Sequence, residues 1–105
     1  MLAKTAGLSP DSVFKALGNP TRIALVRTLM EGERCVCDLV QVAGMAWSTT
    51  SKHLDVLRAA GVISSDKRGQ KIFYRLELAC VAHFIDCLDQ ARLGQRATAI
   101  RCNCA

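Results

Sequence analysis

A chain of 105 residues is long enough for one domain around one core. Half of its residues are hydrophobic and 22% are charged, which excludes intrinsic disorder, and no apolar run approaches the roughly 18 residues a membrane span needs. A formal net charge of +5 favours a polyanionic partner, without saying which surface would meet it.

The opening MLAKTAG has no apolar h-region, so the expected location is the cytoplasm. Thiols stay reduced there, and six cysteines then point to metal binding or redox sensing rather than a disulfide framework. Ser9-Pro10-Asp11 opens a first helix with a Ser cap, Pro at its first position and an acid in its first turn. Val13, Phe14 and Leu17 form its apolar side, and Gly18 stops it. Asn19-Pro20 repeats the start signal, and TRIALVRTLMEG is a second helix ending at Gly32. A third begins in ERCVCDLV, with Val36, Leu39, Val40 and Ala43 as a buried stripe at i, i+3, i+4, i+7.

Gly44 and a turn of about three residues lead to a fourth helix, WSTTSKHLDVLRAAG, ending at Gly61. Two short helices around a tight Gly-containing turn are the mark of a helix-turn-helix. On the fourth helix Trp47, Thr50, Leu54 and Leu57 should pack inward. Ser48, Thr49, Ser51 and Lys52 spread over the outer arc, with His53 at its edge. Hydroxyls and a cation at the start of an exposed helix suit a DNA major groove, although a merely solvated polar face has the same composition. His53 is open to two roles, a phosphate contact or a bond to a backbone carbonyl. VISSDKRGQKIFYRL alternates in its second half and reads as a β-hairpin about the cationic turn Lys67-Arg68-Gly69-Gln70. As a wing it would lay Lys67, Arg68 and Lys71 along the DNA backbone, contributing salt-sensitive affinity.

A last helix from about Glu77 to Leu93 has more apolar surface than one small core needs. Val81, Phe84, Ile85, Leu88 and Ala91 form one stripe, and Cys80 and Cys87 lie on an adjacent one as packing residues. The expected architecture is mainly α with a small β-hairpin, a winged helix-turn-helix that pairs as a homodimer through its first and last helices. Residues 1–93 would form the DNA-binding and dimerisation domain, and residues 94–105 a flexible, cysteine-containing tail. There is no CxxC, no Gly-rich phosphate loop and no evident nucleophile–base pair, so an enzyme such as a thiol reductase is not expected.

ERCVCDLV before the turn, STTSKHLDVLRAAGVI through the fourth helix and DKRGQKIFYRL in the wing resemble the ArsR/SmtB family of metal-responsive repressors, over about Val13 to Ala91. The resemblance implies a homodimer that binds double-stranded operator DNA and lets go when metal binds. It implies DNA contacts by Ser48, Thr49, Ser51, Lys52 and His53, and thiolate ligation by Cys35 and Cys37. Arsenic repressors of this family carry a third cysteine three residues after the second, where this chain has Val40. Cadmium and lead sensors draw cysteines from an N-terminal arm, and none precedes Cys35 here. Zinc and nickel members use Asp and His along the last helix, where only His83 and Asp86 are nearby.

On that footing the inducer is As(III) or Sb(III), held by Cys35, Cys37 and one of Cys102 or Cys104. Cd(II) or Pb(II) would recruit a fourth sulfur, and a thiol-redox-sensing repressor is the alternative of the same fold. The nine-residue step from Leu93 to Cys102 spans at most about 30 Å, enough to fold back. Placed on a regular helix, Cys35 and Cys37 would point about 200° apart. The first turn must therefore unwind or start later for both sulfurs to reach one ion, and that distortion would disturb the turn that aims the fourth helix.

Overall fold

Two Pro-initiated helices open the computed structural model, which describes residues 8–94. Helix α1 spans Pro10–Leu17 and helix α2 spans Pro20–Met30. Asn19 caps α2: its side-chain oxygen accepts from the backbone N–H of Thr21 (2.9 Å) and Arg22 (3.1 Å). Ser9 is the N-cap of α1, but its hydroxyl donates to Ser12 Oγ at 2.9 Å and bonds no backbone N–H. The chain then forms a two-residue strand β1 (Arg34–Cys35), helix α3 (Val36–Ala43) and helix α4 (Trp47–Ala59). Strands β2 (Ile63–Arg68) and β3 (Lys71–Leu76) and helix α5 (Ala79–Arg92) follow.

Helices α3 and α4 meet across the three-residue turn Gly44–Ala46, as the sequence predicts. Helix α4 closes in a Schellman motif: Gly61 N–H bonds Arg58 O and Val62 N–H bonds Leu57 O, both at 3.0 Å, with Gly61 at φ +85°. That closure seats Val62 in the core and starts β2 in the right direction. The hairpin turn is shorter than expected. Only Gly69 and Gln70 lie outside the strands, so Lys67 and Arg68 end β2 and Arg68 pairs with Lys71. Gly69 has φ +65°, at the place a type II′ turn reserves for glycine.

The core lies where α2, α3, α4 and the hairpin meet. Leu25, Val26, Leu39, Leu54, Leu57, Val62 and Thr50 have essentially no exposure, and Tyr74, Val81 and Ile85 close the edge. Val36 and Leu39 are buried as the α3 stripe requires, with Val40 and Ala43 half-buried against the core.

Four expectations change. Trp47 does not pack inward and is 55% exposed. It is the first residue of α4, and a helical side chain leans toward the N-terminus, so the indole reaches past the end of the core. Phe14, expected on the apolar side of α1, is 58% exposed. Helix α5 starts two residues later than expected. Finally, the sheet has three antiparallel strands in the order β1-β3-β2, because Arg34 and Cys35 pair with Tyr74 and Phe73.

Candidate nucleic-acid interface and thiol pair

The outer arc of α4 is built as the sequence implies. Ser48, Thr49 and Lys52 are exposed, and Ser51 and His53 are half-buried. Thr50, Leu54 and Leu57 anchor the helix from behind. The Thr50 hydroxyl is buried without a hydrogen-bond partner among the described residues, so that anchor is made by packing alone.

Among the described residues His53 meets no carbonyl: its Nδ1 lies 3.2 Å from a guanidinium nitrogen of Arg22. Arginine can only donate, so in this contact Nδ1 is the acceptor. The Nε of Arg22 donates to Ala16 O at 2.7 Å, which ties α1, α2 and α4 together. Arg22 was not legible as a site-shaping residue, because its partners lie 6 and 31 positions away.

In the wing, Lys67 and Lys71 are exposed. Arg68 is exposed as well, and it also pairs within the chain. It forms a two-pronged ion pair with Glu33 (2.7 and 2.9 Å), contacts Asp66 at 2.9 Å and stacks over the Phe73 ring at 4.8 Å. The carboxylates hold its guanidinium charge still more firmly than usual, Glu33 first and then Asp66. The wing tip is thereby tied to the segment that enters β1.

The thiols resolve differently from the helical projection. Cys35 is not on a helix: it is the extended N-cap of α3 (φ −73°, ψ 150°) and the last residue of β1. Pairing with Phe73 holds it extended, so the 200° argument does not apply. The two sulfurs are 3.0 Å apart, with Cys37 donating to Cys35, while α3 remains regular from Val36. Of the two routes expected for bringing the sulfurs together, the structure takes the later start: α3 begins at Val36, after Cys35, and no turn unwinds.

Cys35 is buried and Cys37 exposed, and both are free thiols. The bonds from the Cys37 thiol and then from the Cys37 backbone hold Cys35 below the ordinary thiol range, with a smaller contribution from the charge of Lys71. The same thiol contact, followed by desolvation, pushes Cys37 above it. Two soft donors in contact fit a thiophilic ion as two of its ligands. Among the described residues, no group of three or more His, Cys, Asp and Glu side chains is placed to hold a metal ion. Cys102 and Cys104, expected to supply the third sulfur, lie outside the described residues.

Cys80 and Cys87 are exposed within the chain rather than packed into its core. They share the outer side of α5 with Phe84 and Leu88, 42% and 54% exposed. Phe14 of α1 meets Phe84 edge to face, ring centroids 5.8 Å apart, so the exposed apolar surface runs across both helices. His83 and Asp86 are also exposed. No described helix is long and apolar enough to cross a membrane.

Residues 19–65 match the model of the bacterial regulatory protein arsR family. The chain is 38% identical over 73 residues to the transcriptional repressor SmtB of Mycobacterium tuberculosis, covering 70% of this chain and 54% of that protein. It therefore spans about half the length of that curated relative. It is 34% identical over 99 residues to a cadmium resistance regulatory protein CadC homolog of Staphylococcus aureus, covering 93% and 79% of the two chains. It is 36% identical over 85 residues to the arsenical resistance operon repressor of Escherichia coli, covering 80% and 73%. Among solved structures it is similar to the repressor BigR of Xylella fastidiosa (TM-score 0.72, 37% identity, 77% and 83% of the two chains). The homodimeric winged helix-turn-helix DNA-binding domain Mb0332 of Mycobacterium bovis also matches (TM-score 0.72, 25% identity, 93% and 89%). A winged helix-turn-helix with this order of elements, this thiol-bearing entry to α3 and these relatives belongs to the ArsR/SmtB family, whose members are transcriptional regulators and not enzymes.

Proposed function

We propose that this protein is a metal(loid)-responsive transcriptional repressor. It binds operator DNA through Ser48, Thr49, Ser51, Lys52 and His53 on α4, with the wing lysines Lys67 and Lys71 on the backbone. It is released when As(III) or Sb(III) binds the thiolates of Cys35 and Cys37. The observation that carries this reading is the 3.0 Å contact between those sulfurs, with Cys35 on a strand paired to the wing and Cys37 in the first turn of α3. Inorganic arsenite takes three sulfurs, and the third comes from Cys102 or Cys104. Cd(II) or Pb(II) would add a fourth. An arsenical repressor and a cadmium regulator among the relatives support this class of inducer.

The working unit is a homodimer joined through the Phe14, Phe84 and Leu88 face, as supported by the homodimeric Mb0332 domain. Two α4 helices then address a two-fold operator.

Release runs through the sheet and not through an unwound helix. An ion on Cys35 and Cys37 changes the end of β1, which pairs with β3 and reaches the wing tip through Glu33 and Arg68. Lys71 belongs to the wing, and its charge acts on both thiols. The ion must bind better to the wing arrangement that does not fit DNA, and such coupling typically amounts to about 1–3 kcal/mol.

The test is a titration of a labelled operator fragment at fixed salt with arsenite, antimonite, cadmium and zinc. Wild type should be released by arsenite and antimonite, and Cys37→Ser should stay bound. Release of Cys37→Ser at wild-type arsenite would refute the reading. The same thiol contact favours one further reading, in which a hydroperoxide oxidises the pair to a disulfide and releases DNA. Release by peroxide but not by arsenite would select it.

A further inference from the structure

We propose that Trp47 determines part of the operator sequence: its indole covers the C5 methyl of a thymine in each half-site. The proposal rests on the reading of α4 above and adds a base that the helix selects. The hydroxyls and the cation on the outer arc of α4 supply hydrogen bonds, which serve base edges and phosphates alike. The thymine methyl is the apolar feature of the major groove, and it takes an apolar partner.

Trp47 is the first residue of α4 and is 55% exposed. A recognition helix meets base edges with its N-terminal residues. A helical side chain leans toward the N-terminus, so the indole projects past the end of α4 that enters the groove. Ala46 is the N-cap, and no cap side chain stands over that end. Trp47 adjoins the polar arc through Ser51, its neighbour one turn along the same side.

One exposed aromatic needs no partner to explain it. Here Val42 of α3 and Met45 of the turn are exposed as well, so the apolar surface of the helix-turn-helix gathers at its reading end. A second copy of the chain is not the occupant. The proposed dimer face carries Phe14 of α1, and α1 adjoins α4 at Val56 and Ala60, which share a cleft with Ser12 and Ala16. At about 1.5 Å per residue, Val56 stands roughly 13 Å along the helix from Trp47.

The test uses the full chain and a duplex that it enriches from a random pool. That duplex should hold a thymine at a symmetric position of both half-sites. Replacing each symmetric pair of thymines in turn by uracil removes only the methyl groups. Binding is read by anisotropy of the labelled duplex and, separately, by intrinsic emission, because Trp47 is the single tryptophan of the chain.

At one symmetric pair, uracil should weaken wild type by about tenfold, the loss expected for two buried methyl groups. Trp47→Gln should bind the thymine and uracil duplexes within about twofold of each other, whereas Trp47→Phe should keep the preference. Tryptophan emission of wild type should change in step with anisotropy. Trp47 lies outside the core, so Trp47→Gln should keep the unfolding midpoint, and the uracil scan of wild type does not depend on that variant. No methyl effect at any thymine in wild type, the same effect in Trp47→Gln, or unaltered emission at saturation would overturn the proposal while leaving α4 as the reading helix. Unchanged binding by Lys52→Ala, with an unchanged salt slope, is a different result and would remove the α4 reading itself.

Discussion

The thiol corner from Glu33 to Val40 and the reading helix α4 are held in place by different forces. Helix α4 rests on Leu54, Leu57 and Thr50, which have no exposure, so its outer arc is carried on a packed support. The thiol corner depends on a two-residue strand pairing, an exposed two-pronged ion pair and a sulfur–sulfur contact. Burial of apolar area gives α4 its rigidity, whereas exposed ion pairs and one short ladder leave the corner easier to rearrange. A regulator needs that division: a surface that keeps its shape to read DNA, and a weakly cemented segment that a ligand can reset.

The largest predicted effect tests the packed side. Leu54→Ala should cost about 2–5 kcal/mol in denaturant unfolding and remove DNA binding together with the fold. Cys37→Ser should leave the unfolding midpoint where it is and remove only the metalloid response. If Cys37→Ser melted the protein as Leu54→Ala does, the two regions would not be separable.

Next, Leu88→Glu on the outer side of α5 should shift sedimentation to the monomer while the far-ultraviolet circular dichroism stays native. Leu88 is 54% exposed in the chain, so only a partner would notice the change.

Lys52→Ala on α4 and Lys71→Ala in the wing should each flatten the dependence of log affinity on log salt by about 0.9. Only Lys71→Ala should also change the inducer concentration needed for release, because its charge acts on both thiols. An equal inducer response in the two variants would break the proposed link from wing to thiols.

Thr50→Val should stabilise the fold by about 1 kcal/mol, because it replaces a buried hydroxyl that has no partner among the described residues. The smallest effect on stability is expected for Glu33→Gln. It should leave the midpoint unchanged and release Arg68 toward phosphate, steepening the salt slope by about 0.9. An unchanged slope would mean that Arg68 stays over Phe73 without its carboxylate partner.

Much of this architecture was legible because its signals are local. Pro10 and Pro20 set helix starts, Gly44 and Gly61 set stops, and the i, i+3, i+4, i+7 spacing on α3 marks its buried side. The outer arc of α4 was legible for the same reason, since period and polarity name the residues once the helix is placed. Trp47 was misplaced because a helical projection assigns a direction around the axis and says nothing about where the core ends along it. Cys80 and Cys87 were read as packing residues from the same projection, and they lie outside this chain's core.

From its sequence alone this chain fixes its helices, its hairpin, the face of α4 presented outward and the presence of a CxC beside the turn, all of which follow from spacings within a few residues. The tertiary structure alone decides that Arg34 and Cys35 are a strand, that Arg22 holds His53 and that Glu33 engages Arg68. Each of these pairs residues 31 or more positions apart, and two residues are too few for any period to announce a strand. That pairing takes Cys35 off the helix and sets its sulfur against Cys37, so the chemistry of the corner comes from a contact that local propensity does not encode.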